Sequence, residues 1–221
     1  MIKALIFDLD NCLAAANEVG EDLFAPAFAA MKNANRGTLT DDQLAEAFQE
    51  IWRHPLDFVA SKFGFSQEML AAGWKVFSQT VVERPMKGYG DLAILRELPF
   101  DLYLVTSGFR ALQESKVKAL QVAELFRGIE IDAIDEDDRK GKQGIFTSIL
   151  ERKGLRPEEV IVVGDNPDSE IEAGNRLGIR TVQILRPEVP RADTATYYVN
   201  TFEELKTLLE ELNRRRSDQL R

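Results

Sequence analysis

Met1-Ile2-Lys3-Ala4-Leu5-Ile6-Phe7-Asp8-Leu9-Asp10-Asn11-Cys12 opens the chain, an apolar run that stops on two carboxylates. Residues 2–7 carry a single Lys among apolar side chains, the pattern of a strand covered on both faces with a polar loop at its carboxyl end. The design returns downstream. Leu102-Tyr103-Leu104-Val105 runs into Thr106-Ser107-Gly108, and Val160-Ile161-Val162-Val163 runs into Gly164-Asp165-Asn166. Residues 180–185 form a fourth such segment and residues 129–134 a weaker fifth. Amphipathic patterns at 91–98, 111–120, 145–153 and 169–177 lie between them, with Gly154 and Gly178 placed as C-caps and Pro157 placed to open a short helix. Strands alternating with helices predict an α/β fold, a doubly wound (Rossmann-like) parallel sheet.

Residues 13–82 break this rhythm, with helical patterns at 21–33, 41–52, 55–63 and 67–82, Thr40 and Ser66 as N-caps, and no convincing strand. About 70 residues of helix are too many for one crossover between neighbouring strands. The expected organisation is an α/β core of residues 1–13 and 84–221 with an inserted all-helical domain at 14–83. Trp52 and Trp74 fall on apolar faces and are assigned to the interior of the insert.

Composition narrows the chemistry. Lys plus Arg is 28 against 37 Asp plus Glu, a net charge of −9, which disfavours general binding to nucleic acid or anionic membranes. No apolar run approaches a membrane span, and Asp8 interrupts any signal-peptide core. One Cys excludes an intrachain disulfide and fits a reducing cytoplasm; one Cys and one His together exclude the common zinc signatures. The basic run at 213–217 reads as a helix end, its cations favourably near the C-terminal dipole. Gly141-Lys142-Gln143 lacks the flanking residues of a P-loop, and no GxGxxG follows a strand. Chemistry here falls to carboxylates.

In an open parallel sheet the carboxyl ends of the strands converge on one crevice. Asp8, Asp10 and Asn11 would therefore meet Thr106, Ser107, Gly108, Asp165 and Asn166 there. Carboxylates crowded together repel unless a cation neutralises them. Mg²⁺ is the natural candidate, being hard, oxygen-seeking and content with one or two carboxylates plus phosphate.

These residues resemble the haloacid dehalogenase superfamily. Asp8-Leu9-Asp10-Asn11-Cys12 is similar to its first motif (DxDx[T/V]), with Cys12 where Thr or Val is usual. The strand ending in Thr106-Ser107-Gly108 is similar to the second motif, and Gly164-Asp165-Asn166-Pro167-Asp168-Ser169-Glu170 to the fourth. Two lysines compete for the third: spacing to Phe146 and Asp165 favours Lys140, while the Gly-Lys pattern keeps Lys142 in contention. The resemblance covers essentially the whole core, residues 1–12 and 85–212, and makes the helical insert similar to a type-1 cap. It implies that Asp8 is a nucleophile forming an aspartyl-phosphate and Asp10 a general acid and base. Mg²⁺ would be held by Asp8, the Asp10 carbonyl and Asp165, and phosphate bound by Asn11, Thr106, Ser107, Gly108 and the motif lysine, Lys140 or Lys142. Asn166, Asp168 and Glu170 would support the metal, with Glu170 positioning its water. Dehalogenating members lack the second Asp, so Asp10 favours phosphate chemistry.

The expected function is a Mg²⁺-dependent phosphatase acting on a small phosphorylated metabolite, as a monomer or weak homodimer. A phosphomutase or a phosphonatase of the same fold is an alternative, although no cap lysine (Lys32, Lys62, Lys75) stands in a recognisable Schiff-base motif. A non-enzymatic receiver-type phospho-switch, or a scaffold that only binds, is another, disfavoured by the insert and by the acidic motif that follows the lysine. Specificity would come from the insert, where Arg36, Arg53, His54, Lys62 and Lys75 are candidates to reach the crevice.

Overall fold

The computed structural model describes residues 1–187 and 189–218, the last four of these by backbone alone. Six strands, β1 (Ala4–Phe7), β2 (Asp101–Gly108), β3 (Gly128–Ala133), β4 (Val160–Gly164), β5 (Arg180–Ile184) and β6 (Tyr197–Val199), form one sheet in the order β3-β2-β1-β4-β5-β6. Every pairing is parallel, with Phe7 aligned to Leu104 on one side and to Val163 on the other. That register brings the ends of the three strongest strands level, so Asp8, Thr106 and Asp165 emerge at one edge.

Both faces are buried, as continuous apolar strands require. Leu5, Phe7, Leu104, Ile161, Val163 and Val182 point to one side, against α5 (Arg110–Leu120) and α8 (Phe202–Asp218). Ala4, Ile6, Val105, Val160 and Val162 point to the other, against α6 (Gly141–Lys153) and the short α7 (Glu172–Arg176). The backbone of α8 continues through the basic run at 215–217, whose side chains lie outside the described residues.

Between β1 and β2 stand four helices: α1 (Glu21–Ala34), α2 (Asp41–Glu50), α3 (Leu56–Phe63) and α4 (Gln67–Phe77). Thr40 caps α2 with a reciprocal capping box to Gln43, and Ser66 caps α4 by accepting from Met69 N–H. The apolar interior of these helices is continuous with that of the sheet: Phe24 and Met31 of α1 belong to the same cluster as Leu9, Leu13 and Phe109. Trp74 meets Phe109 edge-on at 4.9 Å, so it packs on the α/β core and not inside the insert; Trp52 stacks on Phe24 at 4.3 Å.

Three local expectations need correction. Residues 91–98 form a tight 3₁₀ turn (Leu92–Glu97), because Asp91 is engaged elsewhere, pairing with buried Arg186 and accepting Phe202 N–H. Residues 169–177 do not make one helix: the backbone breaks at Ser169, and Asn166 caps the turn by accepting Asp168 N–H at 3.0 Å. The α4 pattern also stops at Phe77, well short of residue 82.

Candidate active site

β1 delivers Asp8 buried at the sheet edge, and the chain then turns back sharply. Asn11 takes the left-handed conformation (φ 53°), which Asn tolerates better than most residues. Its N–H donates to Ala14 O and its Oδ1 accepts Ala16 N–H, so much of its hydrogen-bonding capacity shapes the loop. Beside it Cys12 is fully buried, donating weakly to Val163 O at 3.8 Å, and burial holds its thiol well above the usual range. Buried beside the loop, it fills space among apolar neighbours.

β4 delivers Asp165, and the turn after it returns Glu170 to the same place. Asp8, Asp165 and Glu170 are all buried and each offers an oxygen within 4.8 Å of the others. Gly164 makes this possible, since a Cβ there would overlap the Glu170 carboxylate. Glu170 Oε1 accepts Asn166 N–H at 2.6 Å, and its Oε2 accepts from Lys142 Nζ at 2.7 Å. The same ammonium lies 2.7 Å from Asp8 Oδ1.

Of the two candidate lysines, the fold brings one to this cluster. Lys142 sits in the cluster, whereas Lys140 is exposed at the N-cap of α6. The reason is helical phase: Lys142, Ile145, Phe146 and Ile149 are the buried stripe of α6, and Lys140 precedes the helix. Asp132, at the end of β3, fixes the start of that helix. Its buried carboxylate accepts from Gly141 N–H (2.9 Å), Arg139 Nε (3.0 Å) and the Ser107 hydroxyl (3.1 Å), tying the lysine loop to the end of β2. Arg139 also pairs with Asp57 of α3, a bridge from the sheet to the inserted helices.

Three buried carboxylates against one ammonium leave the cluster short of positive charge. Burial drives Asp8 up to about 7 against the pull of Lys142, and burial with the neighbouring Glu170 and Asp8 raises Asp165 well above the carboxylate range. Burial depresses Lys142, but the two carboxylates it touches override this and raise it. Among the described residues nothing donates to the Asp165 carboxylate. A set of hard oxygens with excess negative charge, closed to water on most sides, fits a divalent oxygen-seeking cation.

The crevice above is lined by Asp8, Asp10, Asn11, Thr106, Ser107, Gly108 and Lys142 at its polar end. Phe24, Trp52, Phe77 and Phe109 form apolar walls. Of the five cationic candidates on the insert, Arg53 and His54 line it and Arg36, Lys62 and Lys75 do not. Asn166 reaches from the sheet to that wall, donating to Arg53 O at 3.3 Å and lying 3.4 Å from His54 Nδ1. His54 stacks on Phe58 at 4.6 Å, and burial lowers its pKa despite Glu50 nearby. Asp168 is exposed and contributes only its backbone N–H to the turn. Two residues absent from the sequence reading, Gln113 and Lys116 of α5, face Asp10 across the crevice.

Over residues 2–178 the chain matches the family of haloacid dehalogenase-like hydrolases. A glyceraldehyde 3-phosphate phosphatase of Methanopyrus kandleri is 32% identical over 200 residues, 84% of this chain and 85% of that one. A protein of the same name from Methanocaldococcus jannaschii is 24% identical, covering 97% and 100% of the two chains. Among solved structures, protein SP0104 of Streptococcus pneumoniae superposes with a TM-score of 0.69 at 16% identity, over 94% of this chain and 98% of its own. The magnesium-bound YfnB of Bacillus subtilis superposes with a TM-score of 0.62 at 20% identity, over the same shares. With its strand ends, lysine and carboxylates gathered into one crevice, this chain belongs to the haloacid dehalogenase-like hydrolases.

Proposed function

We propose that this hydrolase is a Mg²⁺-dependent phosphatase that cleaves a small phosphorylated metabolite through an aspartyl-phosphate on Asp8. One observation carries the reading: Asp8, Asp165 and Glu170 share a buried pocket with a single ammonium, and Asp8, Asp165, Glu170 and Lys142 all line one crevice with Thr106, Ser107 and Gly108. Asp8, Asp165 and Glu170, with the Asp10 carbonyl, would hold the cation, which supplies charge neutralisation and polarisation of a phosphoryl oxygen.

Asp8 attacks phosphorus as the bond to the leaving oxygen breaks, and Asp10 gives that oxygen a proton. Water then attacks the acyl phosphate; its proton returns to Asp10, inorganic phosphate leaves and Asp8 is regenerated. Thr106, Ser107, Gly108 and Lys142 stand on the crevice wall where they can hold the phosphoryl oxygens, so the site works by positioning and electrostatics. Residues 14–83 act as the cap: Arg53 and His54 look onto the crevice, and the Asn166 and Arg139 contacts hold it to the core. A phosphonatase draws no support, because among the described residues Lys62 is paired with Glu50, Lys32 with Asp41, and none of the cap lysines lines the crevice.

The names of the relatives direct the first substrate trial to triose phosphates, with phosphoserine and sugar phosphates as comparisons. The test is Mg²⁺-dependent phosphate release, first from p-nitrophenyl phosphate and then from that panel. Asp8→Asn is expected to abolish it. Activity that survives Asp8→Asn, or that is indifferent to chelation of Mg²⁺, overturns the mechanism.

A further inference from the structure

Asp10 is gripped from α5. Lys116 is buried, and its Nζ lies 2.8 Å from both oxygens of the Asp10 carboxylate. One turn earlier, buried Gln113 donates from Nε2 to Asp10 Oδ2 at 3.4 Å, while its Oε1 accepts the Thr106 hydroxyl at 3.1 Å. The direction of that amide is chemically fixed. A carboxylate facing an ammonium accepts, so the nitrogen end of Gln113 must point to Asp10, and Thr106 is left to donate to the oxygen end. Gly108 (φ 149°) clears the way, since a Cβ there would overlap Gln113 Nε2. Gln113 and Lys116 are three residues apart, hence on one helix face, and both line the crevice.

A purely architectural role for this face would be served by an apolar residue, because burying an ammonium carries a desolvation penalty that its partner only offsets. Here the ammonium is set on a carboxylate that opens to the reaction crevice, and it holds two rotational degrees of freedom of that carboxylate. We propose that Lys116, seconded by Gln113, is the positioning residue of the acid–base step: it sets the rotation of the Asp10 carboxylate so that one oxygen can meet the leaving oxygen and afterwards the attacking water. This rests on the phosphatase reading above. In the first half-reaction the Asp8–phosphorus bond forms, the ester bond breaks, and the Asp10 proton goes to the departing alkoxide. In the second, water adds to phosphorus, its proton goes to Asp10, and the Asp8–phosphorus bond breaks. Lys116 itself exchanges no proton in either.

The dependence on leaving group provides the test. p-Nitrophenolate departs without a proton; an alkoxide does not. In Lys116→Met, kcat/KM toward an alkyl phosphate such as glycerol 3-phosphate is expected to fall by about 10²-fold, while kcat/KM toward p-nitrophenyl phosphate stays within about threefold of the unaltered enzyme. Because water attack also needs Asp10, rapid mixing with p-nitrophenyl phosphate should show a burst approaching one nitrophenolate per site. Lys116→Arg should recover part of the alkyl-phosphate activity, and Gln113→Leu should reproduce the selective loss more weakly, a second handle if Lys116→Met folds poorly. Parallel loss with both substrates would mean that the pair only supports the fold, and a rise in KM alone would make Lys116 a substrate contact; either result overturns the proposal. Asp8→Asn runs alongside. If it stays active, the phosphatase reading itself falls; if it is dead while Lys116→Met loses both substrates equally, only this inference does.

Discussion

In a Lys142→Met variant, three buried carboxylates lose the one ammonium they share. Lys142 Nζ is 2.7 Å from Asp8 Oδ1 and 2.7 Å from Glu170 Oε2, and the three side chains are 7%, 8% and 1% exposed. Breaking a buried pair from one side costs about 3–5 kcal/mol, because the abandoned charge remains in the interior. For a chain of this size each kcal/mol moves the melting point by about 2–4 °C, so metal-free Lys142→Met should melt roughly 6–20 °C below the parent protein. Divalent cation should restore much of that difference, since it offers the carboxylates the positive charge that the lost lysine supplied. Turnover should not recover. A lost phosphoryl-binding donor costs about 10²–10³ in kcat, and a cation held by Asp8, Asp165 and Glu170 would not supply the ammonium that Lys142 presents at the crevice wall.

The matched control is Lys140→Met. Lys140 is exposed and precedes the buried stripe of α6, so its replacement should change stability by no more than about 0.5 kcal/mol and turnover by less than about twofold. Melting curves in chelator and in Mg²⁺, with phosphate release from an aryl phosphate, decide the matter. An inactive Lys140→Met beside an active Lys142→Met would refute the assignment. So would a metal-free Lys142→Met that melts with the parent protein, because it would mean that the cluster carries no charge strain.

Three other substitutions probe the support around the site. Gly164→Ala pushes a Cβ into the Glu170 carboxylate, which cannot retreat because Lys142 and Asn166 N–H pin it; the expected cost is about 1–3 kcal/mol with roughly 10–100-fold weaker Mg²⁺, read by thermal shift against metal concentration. Asp132→Ala strands the Ser107 hydroxyl, Arg139 and Gly141 N–H at once, and should cost about 3–5 kcal/mol in urea unfolding while lowering turnover through the loosened Lys142 helix; an unchanged urea midpoint would show that Asp132 does not anchor that loop. Glu159 is held down to about 2 by Lys3 and by Arg156, so the stability it provides is complete above its ordinary value near 4.5 and is lost as pH falls toward 2. Glu159→Gln should therefore have a lower urea midpoint than the parent protein at pH 7 and converge with it near pH 2; equal midpoints at pH 7 would remove that contribution.

β1, β2 and β4 were legible because each carries an apolar run that gives way to polar residues at its carboxyl end, the pattern of a strand buried on both faces. The same grammar located Asp8, Thr106 and Asp165, since a parallel sheet leaves no other place for its carboxyl ends. What the sequence concealed was competition for side chains. The periodicity of residues 91–98 suits a helix, yet Asp91 is drawn off by Arg186 from the far end of the chain. Residues 197–199 form a sixth strand too short to stand out, and their place is set by pairing with β5. Asp132, inside the weak strand read at 129–134, showed no role in the sequence, because its three donors come from different segments.

The two lysines teach something more specific. Lys142 precedes Phe146 by four residues and Ile149 by seven, so it lies on the apolar stripe of α6; Lys116 precedes Leu120 by four and lies on the apolar stripe of α5. A charged residue written into such a stripe must find a partner or destabilise the helix it sits on. Both helices begin directly after the end of a strand or its loop, where the acidic residues gather, so the partner can only be a carboxylate at the sheet edge. Counting residues to a motif selected Lys140, whereas helical phase selects Lys142, and the same phase argument would have found Lys116 without any motif at all. Phase is the better guide because it reports which way a side chain points, and a site is made of directions before it is made of spacings.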